Sequence, residues 1–267
     1  MAASPGSGPI SPPSCAAPST DAMSPAAPAT PPRRTLYGRR QGPKLRAAAV
    51  TLLDSVLPDV AFTVTPGTPL DPRALFADPP RALRLEIGFG GGEHLAAQAA
   101  THPEIGFLGV EPFLNGVAKL LRAVQTERLA NVRVLRDDAR LLLDVLPTAC
   151  LDRADILFPD PWPKLRHHKR RIVNARTLAE LARVIRPGGT LRLATDDADY
   201  ARWMLAAVLA EPRFAWTAER ASDWREPPAG WVPTRYEAKA RAAGRRPVFL
   251  EFARGSAAIR RMRTGTV

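Results

Sequence analysis

The chain has 267 residues, 45% hydrophobic and 24% charged, with a formal net charge of +12, a size that suits one α/β domain or two small ones. Its only cysteines, Cys15 and Cys150, exclude a disulfide framework and a thiolate zinc site and fit a reducing, cytoplasmic setting. The histidines (His94, His102, His167, His168) share no ligand spacing and no apolar run suits a signal peptide or a membrane span, so neither a metal nor a membrane is expected.

Residues 1–32 are mostly Ala, Pro, Ser and Thr, with Asp21 the only acid and no aromatic side chain. Such a segment cannot bury a core and is expected to be disordered. A basic segment over 33–80 leads into the fold, and the domain proper is expected over 81–267. The first apolar strand is Leu83 to Ile87, followed by a glycine-rich turn and a helix from Glu93 to Ala100. A second strand, Gly106 to Val110, ends at Glu111. Val117, Leu120, Leu121 and Val124 then recur at helical spacing. Val132 to Leu135 is a third strand, closed by Asp137 and Asp138, and Ala154 to Phe158 a fourth. Leu178, Leu181, Ala182 and Ile185 give another amphipathic helix, stopped by Pro187-Gly188-Gly189. Leu191 to Ala194 is the fifth strand. Strand and helix alternate, which predicts a parallel α/β sheet. Phe214 to Thr217 and Val248 to Phe252 have no comparable helix between them and suit an antiparallel edge pair. His94 is expected on a helix surface and His102 in a loop, with Trp203, Trp216 and Trp224 as packing residues.

The turn reads Glu86-Ile-Gly88-Phe-Gly90-Gly-Gly92. A dinucleotide fingerprint counted from Gly88 needs its third glycine at position 93, where Glu93 would instead face the pyrophosphate. A ligand without phosphates, carrying an ammonium and a sulfonium, meets no such objection. Acid-x-Gly-x-Gly-x-Gly is the pattern of S-adenosylmethionine sites. Glu111 is placed to accept ribose hydroxyls, and Asp138 to hold the adenine amino group.

Residues 157–171 read Leu-Phe-Pro-Asp-Pro-Trp-Pro-Lys-Leu-Arg-His-His-Lys-Arg-Arg. Pro159, Pro161 and Pro163 exclude helix and central strand, so the segment is a stiff loop at a strand end. It presents Asp160 and Trp162 beside a run of cations. Trp162 is equally a stacking face for a base and a wedge in the core. Lys164, Arg166, Lys169, Arg170 and Arg171 are expected to grip phosphates. Positive charge also gathers in 33–46 and 235–263, so that 20 of the 38 Lys and Arg lie in three short clusters. That clustering points to a polyanion partner.

Taken together, the chain resembles the bacterial tRNA (guanine-N7)-methyltransferase family. The matching pieces are Leu85-Glu-Ile-Gly88, Gly109-Val-Glu111, Phe158-Pro-Asp-Pro-Trp-Pro-Lys164, Arg166-His-His-Lys-Arg-Arg171, Ala194-Thr-Asp196 and Thr234-Arg-Tyr-Glu237. The resemblance implies a class I S-adenosylmethionine-dependent methyltransferase. Its fold would be a doubly wound, mostly parallel seven-stranded sheet with an antiparallel C-terminal edge strand. It implies methyl transfer to guanine N7 in the variable loop of tRNA, with tRNA as partner and no obligate protein partner, as a monomer or a homodimer. By residue-by-residue match, Glu86, Gly88, Gly90, Glu111, Asp138 and Asp160 would contact the cofactor, with Asp160 also catalytic. Lys164, Asp196, Thr234, Arg235, Tyr236 and Glu237 would serve the tRNA substrate. Arg235 and Tyr236 stand where related chains often have Lys and Phe, which keeps charge and ring. The double acid leaves open whether Asp137 or Asp138 meets adenine.

Overall fold

The computed structural model describes residues 1–2, 36–38 and 40–256. The chain divides into two units, Met1–Thr35 and Leu36–Val267, and all that follows concerns the second. The tail expected over 1–32 lies, apart from Met1 and Ala2, outside the described residues, as do Arg33, Arg34, Arg39, Arg260, Arg261 and Arg263.

In chain order the elements are α1 (Ala47–Ser55), α2 (Leu57–Val60), β1 (Ala82–Ile87), α3 (Glu93–Thr101), β2 (Ile105–Val110), α4 (Leu114–Glu127), β3 (Val132–Leu135), α5 (Ala139–Val145) and β4 (Leu151–Leu157). There follow α6 (Ala175–Val184), β5 (Ile185–Thr195), α7 (Ala198–Leu209), β6 (Phe214–Trp216), α8 (Ser222–Arg225), α9 (Arg235–Ala242) and β7 (Val248–Arg254). One seven-stranded sheet runs in the order β3-β2-β1-β4-β5-β7-β6. The first five strands pair in parallel, and β7 runs antiparallel to both β5 and β6. The terminal pair is thus antiparallel as expected, with β7 one place in from the edge and the short β6 outermost.

Side chains alternate across the parallel strands, so each face builds its own core. On one face Leu83, Leu85 and Leu108 pack with Leu142 of α5, Leu181 of α6 and Met204 of α7. On the other, Phe107 and Val132 pack with Leu95 of α3 and with Val117, Leu120 and Leu121 of α4. The 36–80 segment belongs to this body and does more than lead into it. Phe62 and Phe76 are buried in the first cluster, Leu52 and Val60 in the second, and Ala61 bridges to Val134. Ile185 begins β5 and does not end α6. It pairs with Leu151, after which Pro187-Gly188-Gly189 bulges before pairing resumes at Thr190 with Arg153. The Pro-Gly-Gly signal therefore marks a bulge inside a strand. Among the described residues no helix is long and apolar enough to cross a membrane, and no group of three or more His, Cys, Asp or Glu could hold a metal.

Charged groups lie inside the sheet on the α3 face. Parallel register sets Glu86 beside Asp155, two carboxylates on adjacent strands. Arg153 Nε donates to Asp155 at 2.8 Å, and Glu86 Oε2 meets His94 Nδ1 at 2.7 Å. His94 is 1% exposed, so the expectation of a surface histidine is corrected: its partner comes from β1, which helix periodicity alone does not reveal. Burial pushes the Glu86 carboxyl above its ordinary value, with His94 offsetting part of the rise. Burial opposes the His94 cation, but the charge and hydrogen bond of Glu86 outweigh it and hold the imidazole above its ordinary value.

Both shifts keep on the folded pair a proton that the unfolded chain releases, so stability must fall as pH rises. The His94 contribution is complete below its ordinary value of about 6.5 and is lost as pH climbs through the raised value, with Glu86 acting in the same direction. Melting temperature should therefore drop more steeply from about pH 6 to about pH 9 in the wild type than in a Glu86→Gln/His94→Gln double variant, whose amide pair cannot titrate. Parallel melting curves across that range would contradict this assignment.

Candidate active site

In an open parallel sheet the ligand crevice forms beyond the carboxyl ends of the strands, where strand order reverses. Here the reversal lies between β1, whose successors run outward to β2 and β3, and β4, which leads to β5. A cavity of about 860 Å³ opens there. The tips of four strands supply its walls: Ile87 and Gly88, Val110 and Glu111, Asp137 and Asp138, and Ile156 with Phe158 to Asp160.

The glycine turn needs glycine. Gly88, Gly90 and Gly92 have φ of 73°, 58° and 77°, the left-handed region that side chains disfavour. A Cβ on Gly90 would come within 3.0 Å of the Tyr236 ring, so this turn and the start of α9 are in direct contact. Glu111 ties the turn to β2. Its Oε2 accepts from Gly90 N at 2.8 Å and its Oε1 from Phe113 N at 2.9 Å. Burial raises its carboxyl above the ordinary value, and those two backbone donors offset part of the rise. Each oxygen keeps a second lone pair for a ligand.

Asp138 lines the cavity while capping α5: it accepts from Arg140 N at 2.9 Å and pairs with the Arg140 guanidinium. Asp137 is exposed on the same wall, so both acids reach the cavity. Glu86 does not. Its side chain lies on the opposite face of β1 from Ile87, 4% exposed and paired with His94. The acid of the first strand therefore supports the turn from beneath.

Across the cavity, the loop after β4 carries Asp160, which is exposed and makes no hydrogen bond or ion pair among the described residues. Phe158 and Trp162 flank it with φ of 50° and 46°. Left-handed backbone at bulky residues costs about 1–3 kcal/mol each and persists only where the surroundings enforce it. Trp162 lines the cavity and is no core wedge. The Arg170 guanidinium sits 4.8 Å from the Trp162 ring and 5.0 Å from that of Tyr37, a cation packed against two rings that meet edge-on 6.5 Å apart. The N-terminal segment thereby reaches the site. Leu36, Tyr37 and Gly38 line the cavity, and Arg40 O accepts from Leu114 N at 3.0 Å. Asn115 fastens Gly42 and Pro43 as well.

The basic run does not act as one surface. Lys164, Arg166 and Lys169 are exposed, and Arg170 is half-buried in its stack. Arg171, expected to grip phosphate, is 1% exposed and bonded within the protein. That expectation is corrected: Arg171 touches the cavity wall, but its side chain is buried and held by Pro161 and Asp199, unlike the exposed Lys164, Arg166 and Lys169.

Of the six residues matched to the tRNA substrate, the structure brings two into the cavity wall, Arg235 and Tyr236, with Arg235 donating to the Tyr236 hydroxyl at 2.9 Å. Thr234 and Glu237 lie outside that wall. Thr234 caps α9 by accepting from Glu237 N at 3.1 Å, and the buried Glu237 accepts from Trp231 Nε1 at 2.7 Å and from Arg241 at 2.9 Å. Trp231 in turn packs 5.2 Å from His94, which links α9 to the helix behind the glycine turn. Asp196 pairs with Arg245 at 2.6 Å, and the cap of α7 is Asp197. The Thr-x-x-Glu spacing was a helix-start signal, and it marks α9 before any packing is known.

A family model described as "Putative methyltransferase" matches residues 80–250. The tRNA (guanine-N(7)-)-methyltransferase of Rhodospirillum rubrum is 51% identical over 221 residues, covering 82% of this chain and 87% of that protein. The protein of the same name from Chelativorans sp. is 47% identical over 218 residues, covering 82% and 94%. Among solved structures, the 16S rRNA methyltransferase KamB aligns over 69% of this chain and 91% of its own, with a TM-score of 0.50 and 17% identity, a likeness of fold alone. With the sheet, the glycine turn and the proline-bound Asp160 in place, these matches show that the chain is an enzyme belonging to the tRNA (guanine-N(7)-)-methyltransferase family.

Proposed function

We propose that this enzyme transfers a methyl group from S-adenosylmethionine to guanine N7 in the variable loop of tRNA. The observation that carries the reading is one cavity with two kinds of wall. Glu111, Asp137 and Asp138 stand at successive strand tips on one side, and the Asp160 loop with its aromatic–cation stack on the other.

The first wall suits a cationic nucleoside. Glu111 has free lone pairs for ribose hydroxyls, and Asp137 or Asp138 would take the adenine amino group. Gly88 and Gly90 let the backbone approach closely, and a Cβ on Gly88 would meet no protein atom within 4 Å. When bound, the cofactor supplies an electrophilic methyl on a sulfonium. Guanine N7 already carries an in-plane lone pair, so no base need remove a proton first. The protein's task is alignment and charge: Asp160 orients the guanine edge and offsets the positive charge that the purine gains. Trp162 and Tyr37 offer faces for a base turned out of its tertiary pairing. Lys164, Arg166 and Lys169, all exposed, suit phosphates, which fix register without reading sequence.

Incubation of bulk tRNA with labelled S-adenosylmethionine, followed by nucleoside analysis, should yield 7-methylguanosine; label in any other nucleoside, or none, would refute the reading. Asp160→Ala should lower turnover by about 10²-fold or more while tRNA affinity changes little. Glu111→Ala should weaken cofactor binding by about tenfold or more in calorimetry, since two hydrogen bonds to a charged group are lost. Replacing Lys164, Arg166 and Lys169 together with Ala should weaken tRNA binding and make its dependence on salt shallower by about three ions. An unchanged salt slope would remove these side chains from the RNA surface.

A further inference from the structure

Arg171 turns inward at the end of the basic run. Its Nε donates to the Pro161 carbonyl at 2.8 Å, and a terminal nitrogen donates to Asp199 at 2.7 Å. The guanidinium carbon lies 4.9 Å from both the Tyr200 and the Trp203 ring centroids. Arg171 is 1% exposed, whereas the Asp199 side chain is 59% exposed, so the pair runs from the interior beneath the loop to the surface of α7. Burying a guanidinium is costly unless it is hydrogen-bonded and paired, and two hydrogen bonds, one to a carboxylate, and two aromatic rings offset that cost here.

The loop it touches has unusual needs. Asp160 is one residue before Pro161 and Trp162 one after, and the segment is bounded by the left-handed Phe158 and Trp162. Pro159, Pro161 and Pro163 have no amide hydrogen, so this stretch has few N–H groups with which to fasten itself. Its carbonyls are the remaining backbone handles, and the one that Arg171 holds is in the peptide between Pro161 and Trp162. At the entry to the loop, Phe158 N donates to Ala194 O of β5 at 2.8 Å. Two anchors on the β5–α7 side thus set the path of the loop, one at each end.

We infer that Arg171 is a positioning residue: through Pro161 it fixes Asp160 and Trp162 against the cavity, with Asp199 orienting its guanidinium, and it makes no contact with RNA. The role of Asp160 rests on the proposed methyl transfer, while the clamp itself rests on geometry alone. Arg171→Lys keeps a cation but cannot reach both partners at once, and Asp199→Asn keeps an acceptor but removes the charge of the outer partner, at an exposed position that leaves the core intact.

For each variant, kcat, KM for tRNA across a range of salt, cofactor affinity and amide exchange at residues 158–164 should be measured. A displaced loop should cost Arg171→Lys about tenfold or more in kcat and Asp199→Asn a smaller, several-fold loss. KM, its salt slope and cofactor affinity should stay within about twofold of wild type, and the Asp160 and Trp162 amides should exchange faster in both. A raised KM with a salt slope shallower by about one ion and unchanged kcat would make Arg171 a phosphate contact and overturn the inference. Unchanged kcat and exchange in both variants would overturn it too. If Arg171→Lys does not fold, Asp199→Asn carries the same measurements. Absence of 7-methylguanosine from wild-type reactions would sink the methyl-transfer reading alone, and exchange would still decide the clamp.

Discussion

Parallel, in-register pairing of β3, β2, β1 and β4 is the constraint on which the rest depends. It puts every strand's carboxyl end on one edge, so residues far apart in the chain become neighbours there. Glu111, Asp137 and Asp138, and Asp160 close three different strands yet share one cavity. Covering both faces with helices favours apolar strands and forces the polar residues they do carry to the tips or into pairs. Glu86 shows the second outcome. Its neighbour Ile87 reaches the cavity, and the two-residue period turns Glu86 toward α3, where His94 meets it.

What could be read from the residues divides along the same line. Strand tips were legible, because an apolar run, an acid and a turn signal follow in order at β1, β2 and β3. The proline loop was legible because ring constraints are local. Three features depended wholly or in part on tertiary partners, and only the Thr234 cap left a local trace, the Thr-x-x-Glu spacing. Arg171 sits among five cations that look alike in a row, and only Tyr200, Trp203 and Asp199 of α7 distinguish it. His94 occupies an ordinary helical position. Thr234 and Glu237 match a family motif, yet their side chains are occupied by the cap of α9 and by Trp231. Ile185 failed differently: helical spacing continued through it, and the Pro-Gly-Gly that follows does not tell a stop from a bulge.

Two sets of buried polar contacts carry the geometry beneath the cavity. The Glu86–His94 pair, continued through Trp231 to Glu237, braces the glycine turn and the start of α9 from below. Arg171 does the same for the proline loop. Apart from Arg171, neither set lines the reaction space with its charged groups. Buried charges of this kind contribute little net stability, and their use here is to hold a chosen arrangement. Tyr236 and Trp162, both in the cavity wall, are each seated by one of them.

The Tyr37–Arg170–Trp162 stack has a consequence for where the catalytic unit begins. The sheet begins only at Ala82, but one wall of the chamber comes from Leu36 to Gly38, more than forty positions upstream. That wall is pinned by Asn115 and Leu114 at the start of α4, the helix that follows the Glu111 strand. A protein begun at Ala82 would keep its strands and its acids, yet it would lose Leu52, Val60, Phe62 and Phe76 from its two cores, Arg170 would lose one of its two rings, and the chamber would stand open on that side.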